Sequence, residues 1–214
     1  KYHVCLRVPL SPLTLEKLLR DEDRGVLLAA LDRISMNASQ SRIISEIEKL
    51  SDHEDRGIRL KIVDVARDCN RYHTKYRSIL RSMTNDPDAE VTSMAAVELA
   101  RFGEKINSDV IERIKKYLMS AKGMSSQVTT ILYAVSAMGD DGIEVYKALT
   151  EHGSSRMRTV SWQRFLSLSN GWNNPKDWSI ALMDRDEGVR KAVVNTLRGR
   201  IKPIDKSTMG TLCL

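Results

Sequence analysis

The sequence has few residues that would cross-link or interrupt a chain. Its 214 residues include only five prolines and three cysteines, and Cys5, Cys69 and Cys213 form no Cys-x-x-Cys pair. An odd number of widely spaced cysteines favours free thiols in a reducing compartment over a disulfide framework. We therefore expect an intracellular protein, cytoplasmic or nuclear. The start, Lys1-Tyr2, has no Met, as expected of a piece cut from a longer protein.

Long apolar runs and aromatic residues are also scarce. The longest apolar run, Val26 to Leu31, is too short for a transmembrane helix, so we expect no membrane insertion. Aromatic residues make up 5% of the chain although 42% of it is hydrophobic. Abundant Ala, Leu, Ile, Val and Met suit close packing between helices better than a sheet.

Residue patterns for metal binding or catalysis are missing from the sequence. Four histidines and three separated cysteines give no zinc-binding spacing. The single His-Glu pair, His53-Glu54, is too little for a two-iron site, which needs many ligands. Neither a nucleotide-binding loop nor a Ser-His-Asp or Cys-His pattern is present. We expect no metal, no cofactor and no enzymatic activity.

The charge is basic but mixed. The 34 basic and 28 acidic residues give a net charge of +6 and a pI near 9.3. Such a surface attracts nucleic acid, acidic lipid or an acidic protein partner. Because the two signs are interspersed, charge alone does not choose among these partners.

One short pattern, clearest as Asp-Glu-Gly-Val-Arg at residues 186–190, returns five more times. Each copy has an apolar residue three positions after a good helix N-cap, whose side chain can accept a free backbone N–H. The apolar residues are Val26, Ile58, Val91, Val128, Met157 and Val189. The N-caps are Asp23, Asp55, Asp88, Ser125, Ser154 and Asp186.

An apolar residue also closes the segment before each of these turns. The six residues are Leu19, Leu50, Met83, Leu118, Leu149 and Leu182, at intervals of 31, 33, 35, 31 and 33. A period near 33 with helix signals on both sides of a turn predicts a helical-repeat solenoid. Gly103 and Gly139 are predicted helix ends.

The repeats set the predicted domain boundaries. Residues 1–10 alternate apolar and polar and are predicted to form an extended lead-in segment. Ser11-Pro12 has the pattern of an N-cap and first helical position. The repeat domain is predicted to span residues 11–200, undivided by a Gly-, Ser- or Pro-rich linker, with a C-terminal tail at 201–214.

These motifs resemble HEAT repeats of the armadillo-like α-solenoid superfamily, in which two antiparallel helices form a repeat and the second opens with Asp and then Val-Arg. Residues 55–59 and 186–190 match this pattern. The resemblance implies an all-α, right-handed α-α superhelix of about six HEAT-like repeats. Leu27, Thr92 and Thr129 replace the Arg, which should interrupt an Asp–Arg ladder between neighbouring repeats. A compact, non-repeating helical bundle is the alternative.

The resemblance favours a protein–protein interaction scaffold. A single helix pair cannot bury its apolar face alone, so repeats stack, and partners commonly dock on the concave face. We expect the second helices to line that face and to bind another protein or an acidic peptide through exposed cations. The predicted contacts are Arg59, Lys61, Arg67, Arg101, Arg158, Arg164 and Lys191.

A nucleic-acid-binding protein is the alternative function. Two basic segments could contact phosphates, and their cations are Arg71, Lys75, Arg77, Arg81, Arg198 and Arg200. Tyr72 and Tyr76 could stack on bases, although both lie on an apolar stripe that predicts core. Acidic residues among the second-helix cations, Asp64, Asp68 and Glu98, would favour the scaffold.

A DNA glycosylase is a third and more remote interpretation. One family of alkylpurine DNA glycosylases is built from HEAT-like repeats and uses aromatic residues and an Asp at the lesion. Trp162, Trp172 and Trp178 with Asp177 resemble that set, but the family's catalytic positions have no one-to-one match here. Burial of Trp162 and Trp178 in the core would exclude this interpretation.

Overall fold

A computed structural model describes residues 10–70, 74–169, 171 and 174–198. Within these ranges the regular secondary structure is helical, which confirms the all-α expectation. The α-helices are α1 (Pro12–Leu18), α2 (Arg24–Leu31), α3 (Ser41–Leu50), α4 (Arg56–Cys69), α5 (Lys75–Met83), α6 (Ala89–Arg101), α7 (Ser108–Ser120), α8 (Ser126–Ala134), α9 (Asp140–Leu149), α10 (Ser155–Leu168), α11 (Pro175–Leu182) and α12 (Glu187–Arg198). Short 3-10 helices at Ile34–Asn37 and Val135–Met138 follow α2 and α8.

The chain divides into two compact units, residues 1–114 and 115–214, and each is described by itself. In unit 1, α2 packs on α4 and α4 on α6, while α1 packs on α3 and α3 on α5. In unit 2, α10 packs on α9, α11 and α12. The predicted repeat range, 11–200, stays a prediction. The predicted tail and residues 1–9 of the predicted lead-in lie outside the described residues.

The predicted N-caps start the second helices. The side chains of Asp23, Asp55 and Asp88 accept the backbone N–H three residues later at 2.9, 3.0 and 3.1 Å. In unit 2, Ser125 and Asp186 do the same at 3.1 and 3.2 Å. Ser154 also stands at an N-cap position, but its side chain makes no capping hydrogen bond.

A second hydrogen bond gives five of these turns the same shape. The side chain two residues before the N-cap accepts the N-cap's own backbone N–H, at 2.7 to 3.0 Å. The accepting residues are Asp21, His53, Asp86, His152 and Asp184. A histidine Nδ1 and an aspartate Oδ1 therefore both serve as the acceptor of the N-cap N–H in this turn.

The apolar stripes form the core of each unit, with Ile47 and Leu80 in unit 1 and Leu149 and Val193 in unit 2 fully or almost fully buried. Burying a side chain of this size contributes about 1.5–3 kcal/mol. Two of the six residues predicted to close a segment, Leu50 and Leu182, are only half-buried, and Ala181 beside Leu182 is fully buried.

Two glycines end helical segments, as predicted. Gly103 follows α6 with a φ of 78°, a left-handed conformation that favours glycine, and its N–H donates to the Ala100 carbonyl at 2.9 Å. Gly139 has a φ of 61° between the second 3-10 helix and α9.

Candidate partner-binding surfaces

Arg59 is a structural residue of unit 1. Its guanidinium donates through Nε and Nη2 to the Asp86 carboxylate at 2.7 and 3.2 Å. Its Nη1 donates to the His53 and Glu54 carbonyls at 2.8 and 2.9 Å. The side chain is 11% exposed. All three donor nitrogens are thus occupied between one turn and the next.

Arg158 repeats this arrangement in unit 2. Nε and Nη2 donate to the Asp184 carboxylate at 2.8 and 2.9 Å, and Nη1 donates to the His152 and Gly153 carbonyls at 2.8 and 3.0 Å. The guanidinium lowers the pKa of the Asp184 carboxyl through these hydrogen bonds. The expectation that Arg59 and Arg158 are exposed is wrong, because each is held in a largely buried ion pair with the next turn.

The break expected at Leu27 in the Asp–Arg ladder between neighbouring repeats is compensated by a different arginine. Leu27 is buried, and Arg24, one turn earlier, reaches the next N-cap with its Nε 2.9 Å from Asp55 Oδ2. Arg56 makes the corresponding contact with Asp88, also at 2.9 Å. Unit 1 therefore keeps an Arg–Asp connection between successive turns even where the HEAT-type Arg is missing.

The other predicted cations of unit 1 lie on α4 and α6 beside carboxylates. Lys61 pairs with Asp32, and Arg67 contacts both Asp64 and Asp68 at 2.9 Å. Each charge is neutralised by an acid on its own or a neighbouring second helix. These cations therefore make no continuous basic stripe.

Arg101, the last residue of α6, has its Nη1 2.6 Å from Glu98 Oε1. The Glu98 side chain is 1% exposed, and burial raises the pKa of its carboxyl. This ion pair with a buried carboxyl holds the exposed Arg101 guanidinium against its own helix.

The segment predicted for nucleic-acid binding is largely occupied by internal contacts. Tyr76 is fully buried and its hydroxyl donates to the Ala38 carbonyl at 2.9 Å, so it is core. Arg81 makes two hydrogen bonds to Glu104, at 2.7 and 2.8 Å, and the Arg77 guanidinium lies 5.3 Å from the centre of the Phe102 ring. Lys75 and Arg198 are exposed, whereas Arg71, Tyr72 and Arg200 lie outside the described residues.

Unit 2 presents an aromatic–cation pair made of an exposed tyrosine and a half-buried arginine. Tyr133 on α8 is 47% exposed, and the Arg164 guanidinium on α10 lies 4.8 Å from the centre of its ring. This is cation–π geometry. Arg164 makes no ion pair with any described side chain. Leu168, one turn further along α10, is 36% exposed and extends the surface.

Arg164 was predicted from the sequence, whereas Tyr133 was missed. The available signal was that Tyr133 falls off the α8 stripe formed by Ile131 and Leu132, both fully buried. Lys191, also predicted, lies on the α12 surface in an exposed pair with Glu187 at 2.5 Å.

The net charge is divided unequally between the two units. Residues 1–114 contain 19 basic and 19 acidic residues, whereas residues 115–214 contain 15 basic and 9 acidic residues. The whole excess of +6 therefore belongs to the second part of the chain.

The tryptophan cluster is not an open aromatic pocket. Trp162 is 7% exposed and packs edge-on against Phe165, with ring centres 6.0 Å apart. Trp178 is half-buried, Asp177 accepts a hydrogen bond from Asn174 Nδ2 at 2.9 Å, and Trp172 lies outside the described residues. Burial of Trp162 removes one side chain on which the glycosylase interpretation rested.

The described ranges contain neither a metal-binding cluster nor a membrane-spanning helix. No group of three or more His, Cys, Asp or Glu side chains is placed there to hold a metal ion. No helix in the same part of the chain is long and apolar enough to cross a membrane.

Comparisons with known proteins show the fold. No protein-family model and no curated protein matches the sequence. The complex of CpcE and CpcF of phycocyanin lyase from Nostoc sp. is similar in structure, with a TM-score of 0.56 and 16% identity over 92% of this chain and 79% of that chain. A designed armadillo repeat protein aligns with a TM-score of 0.45 and 14% identity, over 86% of this chain and 97% of that chain. The similarity to the CpcE and CpcF complex shows the fold, and the HEAT-like helical repeats predicted from the sequence agree with it.

Proposed function

We propose that this protein is a non-enzymatic scaffold that binds a partner protein or acidic peptide, and that the Tyr133–Arg164 pair is the centre of its binding surface. The supporting observation is that Arg164, unlike the predicted cations of unit 1, lies on an exposed aromatic ring and pairs with no described acid. Its charge is therefore available to a partner.

The chemistry of this pair suits recognition of a carboxylate. A guanidinium presents a planar fork of donors that can bind a carboxylate through two hydrogen bonds. Tyr and Arg are also enriched among the residues that dominate interface energies. Stacking on Tyr133 restricts the Arg164 side chain before a partner arrives, which lowers the entropy lost on binding.

The charge distribution supports the same choice of partner. The excess of +6 in residues 115–214 attracts acidic surfaces over long range, whereas residues 1–114 are balanced. Lys61, Arg67 and Arg101 remain predicted contacts, and each would have to exchange an internal carboxylate for the partner's. The similar CpcE and CpcF chains form a complex with each other, which is in line with a protein partner here.

Nucleic-acid binding is the second candidate function. It is favoured by the same excess of charge and by the exposed cations Lys75 and Arg198. It is weakened by the pairing of Arg67, Arg81 and Arg101 with acids, since a phosphate backbone would have to compete with these carboxylates.

Peptide selection with three variants tests the proposed function. A displayed library of random peptides is selected on the whole chain, and the affinity of a selected peptide is measured by fluorescence anisotropy. We expect acidic peptides, and an affinity loss of about tenfold for Arg164→Ala and about fivefold for Tyr133→Ala.

Arg156→Ala is the matched control, because Arg156 is exposed on the same helix and the substitution removes the same charge. It should change the affinity by less than about twofold. Equal losses for Arg156→Ala and Arg164→Ala would show that only net charge matters and would contradict a site at Arg164.

A further inference from the structure

Two of the five repeated turns use a histidine where the other three use an aspartate. His53 Nδ1 accepts the Asp55 N–H at 2.9 Å, and His152 Nδ1 accepts the Ser154 N–H at 3.0 Å. A neutral imidazole accepts at one ring nitrogen and donates at the other, so each ring carries its only proton on Nε2. The hydrogen bond of both turns therefore depends on the protonation state of one side chain.

The same two turns hold the largely buried arginines that reach the following turn. Arg59 Nη1 donates to the His53 carbonyl and Arg158 Nη1 to the His152 carbonyl, both at 2.8 Å. The other donor nitrogens of each guanidinium bind the aspartate that accepts the N-cap N–H of the next turn. In each unit an arginine thus connects a histidine turn to an aspartate turn.

A second proton on the His152 ring is incompatible with its turn. Protonation at Nδ1 turns the acceptor into a donor that faces the Ser154 N–H, itself a donor, across 3.0 Å. His152 is 5% exposed, so its ring cannot replace this hydrogen bond with water unless the turn moves, whereas His53 is half-buried. A buried donor without an acceptor lowers stability. Of the two histidine turns, the His152 turn is therefore the one that should respond to acid.

The charges around His152 balance and leave its hydrogen bond to decide the outcome. The charged groups of the elements that meet at this turn are Lys147 in the last turn of α9, Glu151 beside His152, Arg158 on α10, and Asp184, Arg185 and Asp186 before α12. Three are basic and three are acidic. Arg158 binds Asp184, and among the described residues no carboxylate bonds the His152 ring. An imidazolium at this position would thus gain no hydrogen-bonded counter-charge from the described part of the chain.

We propose that the turn between α9 and α10 is an acid-sensitive joint of unit 2. Protonation of His152 releases the Ser154 N–H and opens the turn. The carbonyl that holds Arg158 moves with it, so the link from α10 to the turn before α12 loosens. The aspartate turns keep their acceptors, because an ordinary Asp carboxyl stays ionised down to about pH 4. The joint is independent of the proposed function, because it involves neither a partner nor the Tyr133–Arg164 pair.

Proton uptake fixes the direction of the pH effect. A histidine of the unfolded chain takes up a proton as the pH falls through about 6.5, whereas the folded turn would lose its hydrogen bond by doing so. The unfolded state therefore binds more protons in mild acid, and the stability of unit 2 falls as the pH falls. Between about pH 7.5 and about pH 5.5, one such histidine raises the unfolding equilibrium constant about tenfold.

His152→Asn tests the joint, because an asparagine oxygen also accepts a backbone N–H in such turns but does not titrate. All three tryptophans lie after residue 114, so their fluorescence follows the urea unfolding of unit 2 in the whole chain. From about pH 7.5 to about pH 5.5, we expect the unfolding constant to rise about tenfold in the unsubstituted chain and less than about twofold in His152→Asn. His53→Asn, the same substitution in the corresponding turn of unit 1, is the matched control and should keep the tenfold response.

Two results would overturn the proposal. The first is an equal response to pH in the unsubstituted chain and in His152→Asn, because His152 would then make no contribution to it. The second is a His152 ring that carries its proton on Nδ1 at about pH 7.5, since such a ring cannot accept the Ser154 N–H. Nitrogen-15 NMR of the unsubstituted chain measures this, so the second result decides the matter even if His152→Asn fails to fold.

Discussion

The same residue type at the same repeat position has one fixed role in this protein. Arg59 and Arg158 each stand four residues after an N-cap, and each bridges two carbonyls of its own turn and the carboxylate of the next. Arg190 occupies the corresponding position in the last described repeat and donates to the Asp184 carbonyl at 2.6 Å. Arginines at this position therefore bind the turn before their own helix, and Arg59 and Arg158 also join it to the next turn.

Asp184→Asn tests the strength of this connection. The substitution leaves the Arg158 guanidinium, 5% exposed, without its counter-charge. Because breaking one side of a buried ion pair is costly, we expect the free energy of unfolding at neutral pH to fall by about 3–5 kcal/mol. Chemical denaturation measures it, with Asp177→Asn as a control that should cost about 1 kcal/mol or less.

The loss of unfolding free energy in Asp184→Asn should also depend on pH. Arg158 lowers the pKa of Asp184 in the folded state. The Asp184 carboxylate therefore stabilises the fold fully at pH values above 3.8, the ordinary pKa of Asp. That stabilisation is lost as the pH falls through the lower, folded-state value. The difference between the unsubstituted chain and Asp184→Asn should therefore shrink below pH 3.8, and a difference that stays constant there would contradict the assignment.

At the scale of the element, the second helices start at similar turns but are not capped alike. The Ser125 hydroxyl oxygen caps α8 by accepting a hydrogen bond from the Val128 N–H at 3.1 Å, whereas the Ser154 hydroxyl at the start of α10 makes no such bond. In the turn before α10, the His152 ring accepts the Ser154 N–H at 3.0 Å. Two serines at equivalent positions thus differ in whether they satisfy a free backbone donor.

Replacing each of these serines by alanine tests the difference. Ser125→Ala removes a capping hydrogen bond and should lower the free energy of unfolding by about 1 kcal/mol. Ser154→Ala removes none and should change it by about 0.5 kcal/mol or less. The two serines are matched controls for each other in thermal or urea unfolding, and equal losses would show that Ser154 also caps its helix.

At the scale of the whole molecule, the chain joins a charge-balanced part to a basic one. The excess of +6 arises entirely after residue 114. The affinity of a polyanion for the chain should therefore depend on the cations of residues 115–214 and hardly on the paired cations of the first unit. Charge substitutions in each unit can therefore distinguish a protein scaffold from a nucleic-acid binder.

Binding to a fluorescent 20-base-pair duplex, measured over a salt series, distinguishes the two functions. We expect binding only at low salt, weakened more by Lys122→Glu with Lys147→Glu in unit 2 than by Lys17→Glu with Lys105→Glu in unit 1. All four lysines are exposed, so the two pairs are matched in charge. Tight binding at physiological salt with a steep salt dependence would instead favour the nucleic-acid function.

The sequence by itself determined the helical repeat. A period near 33, apolar stripes and N-cap residues are local properties, and each acts within a helix or turn of a few residues. Five of the six predicted N-caps therefore form capping bonds, and Gly103 and Gly139 end helical segments as predicted. The all-α class followed from the same local signals.

Only the tertiary structure decided which side chains are available for binding. Arg59 meets Asp86 across 27 residues of sequence, Arg158 meets Asp184 across 26, and Arg164 meets Tyr133 across 31. Such contacts form when one helix pair packs on the next, and the spacing within a single repeat contains no information about them.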